Sequence, residues 1–354
     1  MWDNDKPGEI SADNWQPLVR FTGTGSAYFF LLVKTVIFSL ITLGIYSFWG
    51  RTLQRRYLWE QTLLLGEPLE YTGTGKELFV SFIIVAPVLL ISMFVFGFVA
   101  LTLGFFGWLI VYIPLVFLWQ FATYRALRFR LTRTRWRGIR GNMSGSAILY
   151  GLKATGYLFA VLVSLGLLYP WASGRMASLI LNNVWFGNRQ LGFSASTRPL
   201  YRIFLLTVLG GGILAAVLVS LAIALAFFNG GSELSISIAW LPLLFFVLLF
   251  FVCSAFYRAA FFRWLFEHAR FGEMRTRSTL SGAQMFYLTL TNLLLIACTL
   301  GLGTAWATIR GTKIRLHSVL YTGEPRLEEL LQDTREAPKS GEGLASALDV
   351  DIAL

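Results

Sequence analysis

Charge is what this chain has least of. Only 14% of its 354 residues are Asp, Glu, Lys or Arg, against 56% apolar and 16% aromatic, whereas a water-soluble domain carries about a quarter charged residues. That excludes a soluble globular protein and implies an integral membrane protein. Acidic residues are scarcer still, 19 against 30 basic. None lies inside a long apolar run, which argues against the carboxylate relay of proton-coupled transport. There are two His and two Cys. His268 and His317 are isolated in basic segments. Cys253 and Cys298 each sit in an apolar run and read as small buried hydrophobes. No metal site, cofactor motif or catalytic constellation follows. The polar stretch MWDNDKPGEISADNWQPLVR lacks the basic region and short apolar core of a cleaved signal, so the first apolar segment is expected to stay in the mature protein. The net charge of +11 comes from Arg flanking apolar runs. The partner it implies is the lipid bilayer, anionic lipids included, and not nucleic acid.

What is present is repetition. Gly25 opens an apolar run that reaches Leu43-Gly44-Ile45-Tyr46-Ser47-Phe48-Trp49, then Arg51, Arg55 and Arg56, then Gly66-Glu67-Pro68. A second copy runs from Gly145 through Leu165-Gly166, Pro170-Trp171 and Arg175 to Gly187. The third has Gly282, Leu300-Gly301, Trp306, Arg310 and Gly323-Glu324-Pro325. Inner Gly to Trp is five residues in all three, and Trp to turn Gly is 17, 16 and 17. Spacings kept three times imply one repeated unit.

The motifs TLGIYSFWGR, RRYL, GEPLEYTGTG and RTRWRGIRG together resemble the YjgN-like family of bacterial inner-membrane proteins, which carries a domain of unknown function. The likeness extends from Phe21 to about Leu327. It implies a multi-pass inner-membrane protein and no particular biochemical activity.

The expected architecture is an all-α polytopic membrane protein of seven apolar helical segments. The order is motif helix, helix pair, motif helix, helix pair, motif helix, with short interfacial helices and hairpin turns. Residues 1–20 form a polar lead, and 21–331 one membrane domain with units starting near 21, 141 and 278. Residues 332–354 form a polar, disordered tail. Ala27 to Trp49 is long enough to span the ~30 Å hydrocarbon core. Leu78 to Tyr124 holds no charge over 47 positions and folds into two helices turning near Leu103-Gly104, with Pro87 and Pro114 as kinks. The second pair turns at Asn229-Gly230-Gly231-Ser232.

Two topologies remain open. Seven crossings place 17 basic residues on one side and 11 on the other, a weak bias. If the three motif segments dip and return with Leu-Gly at the tip, all 28 fall on one side, at the cost of non-helical backbone at depth.

The candidate ligand or structural motif comprises Lys34, Gly44, Tyr46, Trp49, Arg51, Lys153, Gly166, Trp171, Arg175, Gly301, Trp306 and Arg310. An ammonium within an apolar segment marks function by default, although Lys34 and Lys153 lie close enough to their starting Gly to snorkel to the headgroups. The third unit has Thr291-Asn292 there. The Trp-to-Arg step reads as an interfacial anchor, or as three forks converging on one anion. The two GTG sequences, Gly23-Thr24-Gly25 and Gly73-Thr74-Gly75, lack the Lys and strand context of a phosphate loop and read as turns. The seven Arg from Arg125 to Arg140, with Trp136, suit positive-inside sorting or anionic lipid. These features point to a non-enzymatic inner-membrane protein that binds or passes an anionic or lipidic ligand. A scaffold in envelope assembly is the competing reading. A membrane-lipid enzyme, with His317 as the residue to watch, is the third.

Overall fold

The computed structural model describes residues 15–228 and 241–323. The start of the polar lead, the turn at Asn229-Gly230-Gly231-Ser232, Glu324-Pro325 and the polar tail lie outside the described residues.

Each motif segment is a helix, a tight turn and a second helix, and not the single apolar helix expected. In chain order, β1 (Gln16–Pro17) and β2 (Val19–Phe21) lead into α1 (Gly25–Ile41), α2 (Ser47–Glu60), β3 (Thr62–Leu64) and β4 (Glu67–Pro68). Then come β5 (Glu70–Tyr71), the helical run α3 (Gly75–Arg133) and β6 (Thr134–Trp136). The second motif is β7 (Ile139–Met143), α4 (Ala147–Val163), α5 (Tyr169–Leu181), β8 (Val184–Phe186) and β9 (Arg189–Gln190). The second pair is bracketed by β10 (Gly192–Phe193) and β11 (Ala269–Phe271), with α6 (Arg198–Phe228) and α7 (Leu241–His268) between them. The third motif is β12 (Met274–Ser278), α8 (Gly282–Cys298), α9 (Thr304–His317) and β13 (Val319–Thr322).

The helix breaks have a local cause. Leu43, Leu165 and Leu300 take φ of 51°, 50° and 51°, and the Gly after each takes 92°, 90° and 93°. Gly44 N–H donates to Ser39 O at 2.7 Å, Gly166 N–H to Val161 O at 2.8 Å, and Gly301 N–H to Ile296 O at 2.8 Å. Leu43 N–H reaches Leu40 O, closing a Schellman motif, and the other two turns do the same. A hydroxyl one residue before each Leu then starts the second helix. Thr42 Oγ1 accepts from Tyr46 N–H at 2.9 Å, Ser164 Oγ from Leu168 N–H at 3.1 Å, and Thr299 Oγ1 from Gly303 N–H at 2.7 Å. Residues 42–47, 164–169 and 299–304 therefore have every backbone N–H bonded inside the turn. The second helix packs back along the first. Gly50 makes this possible in the first motif, because a Cβ there would lie 2.0 Å from Thr35 Cγ2.

The pairs are longer. Within α3 the conformation is helical except at Gly104, φ 55° and ψ −130°, where the chain reverses close to the expected Leu103-Gly104. The limbs Gly75–Gly104 and Ile110–Arg133, and Leu249–His268 of α7, are long and apolar enough to cross a membrane. At 1.5 Å per residue the 30-residue limb is about 45 Å long and the 17-residue α1 about 25 Å.

The chain is mostly helical but not all-α, because strands bracket every helical excursion. β2 pairs with β3, β7 with β8 and β12 with β13 around the motifs; β5 pairs with β6 and β10 with β11 around the long pairs. Three sheets result, ordered β1-β13-β12-β11-β10, β2-β3-β4 and β5-β6-β7-β8-β9. Single residues link one sheet to the next: Leu18, Leu69 and Leu191, whose N–H groups bond Val319 O, Thr62 O and Val184 O. The belt closes because β1 pairs with β13. The helices follow the same circuit, each packed on the next in sequence and α9 on α1. Gly25 accepts the closure, since a Cβ there would lie 2.3 Å from Trp306 Cδ1.

Gly301→Ala is expected to lower the melting temperature in detergent, since a Cβ at φ 93° costs about 1–2 kcal/mol although nothing lies within 4 Å of the position. Gly97→Ala, inside α3 with equally open space, serves as control and gains helix propensity, up to about 1 kcal/mol. Equal melting shifts for both would remove the turn geometry from the account of the break.

Candidate functional site

Two surfaces stand out, the three apolar tips and the basic belt. At the tips Leu43, Leu165 and Leu300 are 94%, 93% and 95% exposed, with Ile45, Leu167 and Leu302 exposed beside them. Water-facing turns are polar as a rule; these present leucine on amides that need no water. At the opposite ends of the helices, the belt carries Arg20, Arg135, Arg140, Arg189, Arg270, Arg275 and Arg277 in its strands. Part of this charge is structural. Arg133 pairs with Glu77 and Arg137 with Glu67 at 3.3 Å. The Arg277 guanidinium lies 4.2 Å from the Trp15 ring centroid.

The candidate residues divide between these regions. Gly44, Gly166 and Gly301 form the tips. Tyr46 begins α2, its ring 5.1 Å from Phe38. Trp49 packs on Phe79 and on Gly75 at the start of α3, and Trp306 on Phe29 and Gly25. Trp171 stacks edge-on against Tyr157 at 4.9 Å. The tryptophans thus hold neighbouring elements together.

Lys34 and Lys153 are both exposed, in mid-helix. They are not counterparts: Lys34 and Thr291 lie nine residues before the turn Leu, Lys153 twelve. Arg51 lies partly buried two residues after its Trp, whereas Arg175 and Arg310 come four residues after theirs. Arg175 is exposed, and Arg310 Nη2 donates to Thr291 Oγ1 at 3.2 Å within its own motif. The three Arg thus occupy different settings in their motifs.

Gly23 and Gly73 lie under aromatic rings, where a Cβ would come 2.6 Å from Phe21 Cζ and 2.5 Å from the Tyr71 hydroxyl. Thr74 caps α3 through a capping box with Glu77. The GTG segments are helix entries. The Arg-rich stretch is the end of α3 and the β6–β7 hairpin. His317 is exposed, and its Nε2 accepts from Phe21 N–H at 3.0 Å. It joins the last motif to the first. Cys253 is half-buried, its Sγ 3.4 Å from Thr207 O, and Cys298 is exposed.

Two signals were missed in the sequence. The hydroxyl before each Leu-Gly was readable as [Ser/Thr]-Leu-Gly: Thr42, Ser164 and Thr299. The bracketing strands are two to five residues long and carry no periodicity that separates them from loop.

A family profile described as "Bacterial protein of unknown function (DUF898)" matches residues 16–347. The chain is 31% identical over 157 residues to "Inner membrane protein YjgN" of Salmonella typhimurium, covering 44% of this chain and 37% of that protein. It is 41% identical over 61 residues to the protein of the same name from Escherichia coli K12, covering 17% and 15%. Against that of Escherichia coli O157:H7 it is 26% identical over 152 residues, covering 42% and 35%. The matched stretches thus span less than two fifths of these relatives' own length. No solved structure matches.

His317→Ala is expected to cost about 1 kcal/mol of stability and to speed protease cleavage near Phe21, read by thermal melting and by mapping of early fragments. Unchanged melting and cleavage would mean that ring closure rests on other contacts.

Proposed function

The chain belongs to the DUF898 family of bacterial proteins and lies in the bacterial inner membrane, and from that premise we propose that its three Leu-Gly hairpins are copies of one unit that enters the bilayer from the cytoplasmic face and returns to it. In this reading the two long pairs cross, and the protein is a non-enzymatic binder of anionic or lipidic ligands at the interface between belt and hairpins. The observation that carries it is the pairing of bracketing strands. β2 and β3 are in register from Val19↔Leu64 to Phe21↔Thr62, and β7 with β8 and β12 with β13 likewise. A chain that leaves and rejoins one sheet has both ends on one side of the membrane.

Three further facts support it. A 17-residue helix of about 25 Å, starting at the belt, falls short of ~30 Å of hydrocarbon plus headgroups. The turn amides are satisfied internally, which removes the main objection to non-helical backbone at depth. The basic residues cluster at the belt ends of the helices, which favours the cytoplasmic side. Anionic headgroups are the ligands that a basic belt next to inserted apolar hairpins meets first.

The topology is tested with single cysteines at the exposed positions Asn188, Arg135 and Leu103 in a chain with Cys253 and Cys298 replaced by Ser, using a membrane-impermeant thiol reagent on intact spheroplasts. Leu103→Cys is expected to label and the other two not. Labelling at Asn188 with Arg135 protected would return the seven-crossing arrangement. For the ligand, purified protein is expected to retain anionic phospholipid in native mass spectrometry. Retention of none would favour the scaffold.

A further inference from the structure

The three hairpins differ in polar content, and the third holds a cluster that the other two lack. In it α8 and α9 are joined by Asn292, whose Nδ2 donates to Ala307 O at 3.1 Å. One turn further on, Arg310 Nη2 donates to Thr291 Oγ1 at 3.2 Å, the Thr hydroxyl itself donating to Tyr287 O. Arg315 folds back along its helix, and its Nε donates to Gly311 O at 3.1 Å. Two of these groups, Asn292 and Arg315, border Gly311. A Cβ built there would meet only Arg315 Nη2 at 3.8 Å and Asn292 Nδ2 at 4.0 Å, so the missing side chain leaves a gap bounded by two nitrogen donors.

Two observations mark the gap as unsatisfied. Among the described residues, no carboxylate pairs with Arg310 or Arg315. Asn292 Oδ1 is buried without a hydrogen-bond partner, although the bond to Ala307 O fixes which end of the amide is nitrogen. Among the described residues these guanidinium groups have no counter-ion, and a partly buried cation calls for one. The matching positions elsewhere cannot supply the same donors. At the same distances from the turn Leu, the first hairpin has Leu53, Gln54 and Leu58 in place of Arg310, Gly311 and Arg315, and the second has Arg175, Met176 and Ile180.

We propose that the gap at Gly311 between α8 and α9 binds a phosphate group, held by Arg310, Arg315 and Asn292, with Thr291 orienting Arg310. Guanidinium forks and an amide donor suit tetrahedral phosphate oxygens, and a phosphate bearing a hydroxyl in its substituents would also supply a donor for Asn292 Oδ1. The site lies six residues before His317, about 9 Å along the helix from the belt. That depth suits a lipid headgroup, and a free phosphate offers the same chemistry. The proposal rests on the anionic-ligand reading above and assigns it to one hairpin.

Full-length protein and three variants, Gly311→Ala, Arg310→Gln and Arg315→Gln, would be compared in vesicles of phosphatidylglycerol with phosphatidylcholine, by native mass spectrometry of retained lipid. A parallel calorimetric titration would use inorganic phosphate in detergent. Gly311→Ala tests the site without harming the fold, because its Cβ makes ordinary contacts and helix propensity improves. Each variant is expected to weaken binding of the phosphate-bearing probe about tenfold, with the Gly311→Ala melting temperature unchanged or raised. Loss in the vesicle arm alone identifies a lipid headgroup, and loss in the titration alone a free phosphate. Wild-type retention of phosphatidylglycerol that all three variants share would overturn the site while leaving the anionic-ligand reading intact. Failure of the wild-type chain to hold either probe would overturn both.

Discussion

A backbone amide kept from water must find its partner within the protein, and the three tips of this chain meet that demand with their own carbonyls and hydroxyls. Schellman closure consumes the amides that end the first helix. The hydroxyl of Thr42, Ser164 or Thr299 then supplies the acceptor that α2, α5 or α9 needs to begin. With no amide left for water to solvate, the turn tolerates leucine at its most exposed point. A polar loop would have set the tips in water; these suit lipid.

The second constraint acts at the other end. Because every helical excursion is bracketed by strands that pair with each other, the helices are hung from one belt. Closure of the belt depends on residues far apart in sequence: β1 on β13, Phe21 on His317, and Gly25 beneath Trp306. Glu77 and Glu67 offset the charge of Arg133 and Arg137, and Arg–aromatic contacts hold Arg133, Arg137 and Arg277 in place. Glycine works here mainly through close approach. Gly50 lets α2 lie on Thr35, and Gly75 lets Trp49 lie on the start of α3. The repeated Trp thus serves packing between elements, a role that an interfacial anchor seen in sequence does not predict.

Local composition and spacing determined much of this by themselves. The apolar excess set the membrane class, since no fold covers that much apolar surface with so few charges. The Leu-Gly recurrence was legible as a turn in one of the two topologies that the sequence left open, because positive φ at consecutive residues depends on local sterics. The uncharged run from Leu78 to Tyr124 and its Gly104 reversal were equally legible. Tertiary structure decided the rest. Whether Ala27 to Trp49 is one helix or two depends on whether α2 can pack back on α1, which is settled by contact between Gly50 and Thr35. The strands were invisible because segments of two to five residues are specified by their partners across the belt and not by their own pattern. The grouping of Asn292, Arg310 and Arg315 around Gly311 was hidden for the same reason: side chains up to 23 positions apart become neighbours only when two helices lie side by side.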